Sequence, residues 1–124
     1  VKVLVIGRGM TVGRPLSILL SQKPINATVT LAHSASKNLT ELIKESDVVI
    51  AAMGSAQFIK AKMVKKGSVL VDVGITRDGN QLVGDFDPKV IEVASAFAPM
   101  PGGVGPMTRV MLLKNVIELA RNEK

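Results

Sequence analysis

The sequence has no cysteine, no tryptophan and no tyrosine, and its single histidine is His33. The first absence excludes disulfides, thiolate metal sites and a cysteine nucleophile. One histidine cannot build a histidine-cluster metal site within one chain. With no Trp or Tyr and three Phe, the chain lacks the best platforms for stacking nucleic-acid bases. Long apolar runs are missing too. None approaches the roughly 20 residues of a membrane helix, and no signal-peptide layout is present. Nucleic acid and membrane are therefore not expected as partners, and a cytoplasmic location is expected. Val1 enters a strand almost at once and is not Met, so the expectation is an excised domain of a longer protein.

What is present suits one folded unit. The chain has 124 residues, 47% hydrophobic and 21% charged, enough for a single domain with an ordinary core and too apolar for disorder. The net charge is +6. Its cations are scattered apart from short pairs such as Lys65-Lys66, so they read as a solvated surface plus a pocket for a phosphorylated ligand.

The stretch Val1–Pro15 organises the rest. An apolar β-branched run, Val3–Ile6, stops at Gly7, glycines recur at Gly9 and Gly13, and Leu16–Leu20 starts a second apolar run. This reads as strand, glycine turn and helix. Such a turn leaves backbone N–H groups at a helix N-terminus, where the helix dipole favours an anion such as phosphate. The usual dinucleotide pattern is G-x-G-x-x-G. Here the last interval is one residue longer, and a glycine turn that binds nothing is the competing reading.

Further strands are expected at 27–32, 48–52, 68–73 and 94–98, with a small hairpin around Asp78-Gly-Asn80. Helices are expected at about 13–22, from 38 with Asn38 or Thr40 capping, at 60–65 and 89–93, and at 107–121. Pro99–Pro106 reads as a rigid loop, with a stiff connector to the last helix as its plainest role. The last helix places Val110, Leu113, Ile117 and Ala120 on one face. Leu112, Val116 and Leu119 lie off it, which predicts an exposed apolar patch or self-association.

Strands apolar throughout and alternating with helices predict an α/β fold: one Rossmann-like, doubly wound, mostly parallel sheet with helices on both faces, spanning 1–124. Ligands of such sheets lie beyond the carboxyl ends of the strands. Gly7, His33-Ser34, Gly54-Ser55, Gly74-Ile75 and the Pro99–Pro106 loop all fall there. NAD sites place a carboxylate at the end of the second strand. Here that strand ends Leu31-Ala-His-Ser34, with Lys37 following and Arg8 in the glycine turn. The missing acid and the nearby cations suit a 2′-phosphate, so NADP is expected over NAD. An exposed turn residue is the plain alternative for Arg8, and a packed or capping histidine for His33. Asp47, Asp72, Asp85 and Asp87 read as separate cap or turn residues.

Several of these segments resemble one family. Val5-Ile-Gly-Arg-Gly9, Val12-Gly-Arg-Pro15, Val29–Ser34, Ala51-Ala-Met-Gly54, Val71-Asp-Val-Gly-Ile75, Val83-Gly-Asp85 and, most specifically, Pro101-Gly-Gly-Val-Gly-Pro-Met-Thr108 are similar to the carboxyl-terminal half of the bifunctional methylenetetrahydrofolate dehydrogenase/methenyltetrahydrofolate cyclohydrolases. The resemblance runs through essentially the whole chain. It implies an enzyme about twice this size that oxidises 5,10-methylene-tetrahydrofolate with NADP and hydrolyses the methenyl product to 10-formyl-tetrahydrofolate. It further implies a homodimeric parent whose folate substrate is held by an amino-terminal domain. By position, Gly7, Arg8 and Gly9 would hold the phosphates and Ser34 the adenosine phosphate, with Gly13 in the same cofactor-binding loop. Ile75 and Thr108 would lie near the nicotinamide, and Pro101, Gly102, Gly103 and Val104 would form the wall between cofactor and folate. The chain departs from the family in having Gly9 where Ser is usual. The family's catalytic lysine and tyrosine belong to the absent domain, so no catalytic residue is expected here and the chain alone should be inactive. The competing class is a stand-alone dinucleotide-sensing module. A small oxidoreductase complete in itself lacks a visible acid/base residue.

Overall fold

In a computed structural model, residues 1–123 are described. The chain runs β1 (Lys2–Ile6), α1 (Gly13–Ser21), β2 (Thr28–Ala32), α2 (Leu39–Glu45), β3 (Val48–Ala51), β4 (Val69–Asp72), β5 (Thr76–Asp78), β6 (Gln81–Val83), β7 (Ala96–Ala98) and α3 (Val104–Asn122). Short 3₁₀ turns lie at Ala61–Met63 and Pro88–Glu92. Five strands form one parallel sheet in the order β2-β1-β3-β4-β7, and β5 pairs antiparallel with β6.

The sheet is buried on both faces where β1 and β3 cross its centre, which is why these strands are apolar without alternation. Leu4, Ile6, Val49, Ala51 and Leu70 point to one face and pack with Ile43 of α2, Ile59, Val64, Phe86 and Val90. Val3, Val5 and Ile50 point to the other, against Leu16 and Leu20 of α1. Phe86 meets Phe97 edge to face at 5.7 Å between ring centroids, joining the segment after β6 to β7. The chain leaves β1 through α1 to reach β2 and returns through α2 to β3. The two helices therefore cover opposite faces, and a crevice opens at the carboxyl ends of β1 and β3.

The expected α/β architecture is present, with differences at element ends. The 60–65 helix is a single 3₁₀ turn, and that expected at 89–93 is also 3₁₀, started by Asp87, whose Oδ1 accepts the Lys89 N–H at 3.0 Å. Asn38 precedes α2 in a left-handed conformation (φ 57°) and makes no side-chain cap, while Thr40 lies inside the helix. The last helix begins three residues before the expected position and absorbs the end of the Pro99–Pro106 loop. Pro106 is tolerated as its third residue, because first-turn N–H groups have no helical partner to lose.

No residue of α3 is buried. Its Val110, Leu113 and Ile117 are 55%, 65% and 52% exposed, and Leu112, Val116 and Leu119 are also exposed. The apolar periodicity marks a side that favours burial without saying what buries it; this chain's sheet does not. The exposed apolar patch expected from the sequence is therefore present.

Candidate functional site

The glycine turn is shaped by backbone collisions. Gly7 has φ 121°, and a Cβ there would overlap the Ala52 carbonyl at the end of β3. A Cβ on Gly13 would overlap the Gly7 carbonyl, so the first residue of α1 sits directly on the end of β1. Gly9 differs: a Cβ there meets nothing within 4 Å. Gly9 is exposed and faces the groove described next. No side chain caps α1. The Arg14 N–H goes to the Gly9 carbonyl at 3.1 Å, and that of Leu16 to Val12 at 2.9 Å. Among the described residues, the Val12 and Gly13 N–H groups have no such partner, which leaves donors at the positive end of the helix.

Three depressions lie at the carboxyl ends of the strands and share lining residues. The first, about 250 Å³, is lined by Gly7, Arg8, Gly9, His33, Ser34, Ala52, Met53 and Ser55. The second, about 340 Å³, shares Gly9, Ala52 and Met53 with it and adds Thr11, Val12, Gly13, Gly54, Val73, Gly74 and Ile75. The third, about 480 Å³, shares Val73 and Ile75 with the second and continues over Asp72, Met100, Pro101, Gly102 and Val104 to Thr108 and Arg109. Together they make one groove from the β2 end to the start of α3.

The expected site residues thus converge, with one exception. Gly103 does not line the groove; it precedes α3, and a Cβ there would overlap the Pro99 carbonyl. That contact makes it a packing residue in this chain. His33 lines the groove and also closes its own turn. Its Nδ1 accepts the Ala35 N–H at 3.2 Å, and its backbone N–H donates to Ser36 Oγ at 2.9 Å, which matches the capping alternative.

Sequence reasoning missed how the groove's floor is built. Asp72 and Asp85, read as separate turn residues, form one buried network. Asp85 accepts the N–H groups of Met53 (2.7 Å), Gly54 (3.3 Å) and Ser55 (2.7 Å). Asp72 accepts those of Gly74 (3.2 Å), Asp85 (2.9 Å) and Phe86 (3.0 Å). Each carboxylate fills the space where a glycine lacks a side chain, Asp85 over Gly74 and Asp72 over Gly84. The pairs Asp72/Gly74 and Gly84-Asp85 were the available signal, but nothing in a single sequence says that the two segments meet. Burial pushes the Asp72 carboxyl above its ordinary range, against the pull of its three N–H donors. Arg109, Met53 and Met100 were likewise not singled out. They reach the groove only through the fold.

Fold and groove define an α/β domain of the nucleotide-binding kind, with its ligand crevice at the switch point of a parallel sheet. The chain belongs to the family of tetrahydrofolate dehydrogenase/cyclohydrolase NAD(P)-binding domains, whose model matches residues 1–124. Among solved structures it is similar to the bifunctional methylenetetrahydrofolate dehydrogenase/cyclohydrolase of Campylobacter jejuni (39% identity, TM-score 0.92). It is also similar to a 5,10-methylenetetrahydrofolate dehydrogenase of the silkworm Bombyx mori (39%, TM-score 0.90). A third similar structure is the Trypanosoma brucei dehydrogenase-cyclohydrolase, complexed with NADP and an inhibitor (36%, TM-score 0.89). In each case 98% of this chain is covered, and it spans 43%, 44% and 44% of those chains respectively.

The groove fits a dinucleotide on its own terms. It offers close backbone approach at Gly9, free donors at the start of α1, and no carboxylate among its lining residues at the β2 end. Its one lining carboxylate is Asp72, at the opposite end.

Proposed function

We propose that this chain is the NADP-binding part of a methylenetetrahydrofolate dehydrogenase/cyclohydrolase. The observation that carries the proposal is the continuous groove across the carboxyl ends of β2, β1, β3 and β4, with Arg8, His33 and Ser34 and no carboxylate at its β2 end. In this reading Arg8 and Ser34 hold the 2′-phosphate. Gly7, Gly9 and Gly13, with the free N–H groups at the start of α1, hold the diphosphate. Ile75 and Thr108 face the nicotinamide. Pro101, Gly102 and Val104 form a wall that orients ring against folate, with Gly103 fixing that loop against Pro99.

When bound, NADP supplies the hydride acceptor that oxidises the methylene carbon of the folate. The residues of this chain bind, align and dry the reacting end. Asp72 and Asp85 are committed to backbone N–H groups, so in this reading the acid and base groups for the hydrolysis of the methenyl product lie elsewhere. Those groups, and the folate site, belong to a folate-binding domain outside this chain. This reading agrees with the chain's share of 43–44% of the similar structures. The family resemblance supports a homodimeric, cytoplasmic parent. Among the described residues no helix is long and apolar enough to cross a membrane.

Calorimetric titration of the chain with NADP and with NAD tests this. NADP should bind more tightly, and Arg8→Ala should weaken NADP about tenfold while changing NAD little, the scale of one exposed charge-assisted contact. Equal weakening of both would refute the 2′-phosphate role. Binding of neither would refute the cofactor assignment for this chain.

A further inference from the structure

Two buried carboxylates without a cationic partner are unusual in so small a domain. Asp72 is 1% exposed and Asp85 0%. Among the described residues the ion pairs are Lys60–Asp87, Lys65–Asp47 and Lys114–Glu118, and neither buried acid takes part. Both are held by backbone N–H groups alone. Asp72 also lines the largest of the three depressions, together with Ile75 and Thr108.

Oxidised and reduced nicotinamides differ by one positive charge on the ring and are otherwise almost the same shape. From the position of Asp72 we propose that its carboxylate sets the groove's preference between the two, favouring the cationic, oxidised cofactor; this rests on the cofactor reading above. Two other charges bear on Asp72 or the groove. Asp85, buried beside Asp72 and outside the groove's lining, adds to the negative field. Arg109, from α3, opposes it. Asp72 prevails because it is buried and weakly screened, whereas Arg109 is exposed and water and salt screen it. On β3 the residue paired with Asp72 is Ala51, which carries no charge.

At an effective dielectric near 20, unit charges about 10 Å apart shift an equilibrium roughly tenfold. The three N–H dipoles on Asp72 cancel part of that. The expected preference due to Asp72 is therefore roughly three- to tenfold in the ratio of the two dissociation constants. A tenfold preference would lower the potential of the bound two-electron couple by about 30 mV.

The test is calorimetric measurement, on this chain, of the dissociation constants for oxidised NADP and for its acid-stable neutral 1,4,5,6-tetrahydro analogue. In wild type the oxidised form should bind more tightly at pH 7.5, an assay condition of about the physiological value. Asp72→Asn should remove roughly three- to tenfold of that preference, whatever happens to the two affinities in common. Should both affinities fall alike and the ratio stay fixed, Asp72 is only a structural anchor and the proposal is overturned. The wild-type chain gives a second readout that does not depend on the variant folding. As pH falls and Asp72 takes up a proton, the ratio should drift toward the neutral analogue. The 2′-phosphate and adenine titrate in both ligands and cancel from the ratio. A ratio flat down to the onset of acid unfolding overturns the proposal as well. Failure of the wild-type chain to bind either ligand would instead count against the cofactor reading itself.

Discussion

Gly9 and Gly13 belong to the same turn, and the structure assigns them opposite fates on substitution. Gly13→Ala would place a methyl on the Gly7 carbonyl, a rigid backbone atom at the end of β1. Relief requires α1 to move away from the sheet, and with it Leu16 and Leu20, which cover Val3, Val5 and Ile50. Overpacking a well-packed site costs typically 1–3 kcal/mol. Because the obstacle is main chain and the element to be displaced carries two of the side chains that cover this face, we expect about 3 kcal/mol, the top of that range. Gly9→Ala meets nothing within 4 Å and needs no left-handed backbone. Losing a glycine there should be neutral, or stabilising by about 0.4–1 kcal/mol through the unfolded chain. Urea unfolding followed by far-ultraviolet circular dichroism suits a chain without Trp or Tyr. If Gly13→Ala lost less than about 1 kcal/mol, or Gly9→Ala lost more than that, the steric account of this turn would be wrong. Gly9→Ser separates fold from ligand further. It should leave stability unchanged and add a hydroxyl at the groove, strengthening NADP binding in the titration.

Core and terminal helix should respond differently to truncation. Leu70→Ala removes a side chain with no exposure, packed in the core on β4, and should cost about 2–5 kcal/mol, whereas Leu113→Ala in α3 should cost under about 0.5 kcal/mol in the same urea assay. Comparable losses at both sites would mean that α3 packs on this domain in solution. Asp47 joins β1 to the start of β3 by accepting the Lys2 N–H at 2.9 Å and pairing with Lys65. These donors, the Lys2 N–H foremost, pull its carboxyl from 3.8 down to about 2. A carboxyl that binds protons less readily when folded stabilises the fold above the unfolded value of 3.8 and loses that contribution as pH falls toward 2. Asp47→Asn should therefore flatten the acid side of a stability-against-pH curve between about pH 4 and 2, and an unchanged slope would refute the role.

Much of this protein was legible in one dimension because the signals are local. Apolar β-branched runs ending in glycine mark strands, and Pro15 in a first turn marks a helix start. A strand end without an acid at Ala32-His33-Ser34 is what makes NADP the expected cofactor over NAD. Each needs only near neighbours in the chain, and the strand and helix boundaries lie in the structure at nearly their expected positions. The same holds for the convergence of Gly7, Gly13, Ser34, Ile75 and Thr108 on one groove, since a parallel sheet brings all its carboxyl ends to one edge.

The rest depended on contacts between segments far apart in sequence. Asp72 and Asp85 looked like turn residues because a single sequence does not show that the end of β4 and the segment after β6 exchange carboxylates for side-chain-free glycines. Gly9 and Gly13 looked equivalent because spacing records where glycines stand and not what stands opposite them. The apolar side of α3 was visible as a period of hydrophobic residues, but its exposure was not, because amphipathicity names a face and leaves its partner to tertiary structure. The sequence alone therefore determined the order and type of the elements and the sheet edge at which the candidate site residues gather. Only the folded chain decided which glycines are sterically required, which acids are buried, and which apolar surface this domain leaves uncovered, because those depend on the distances that folding creates.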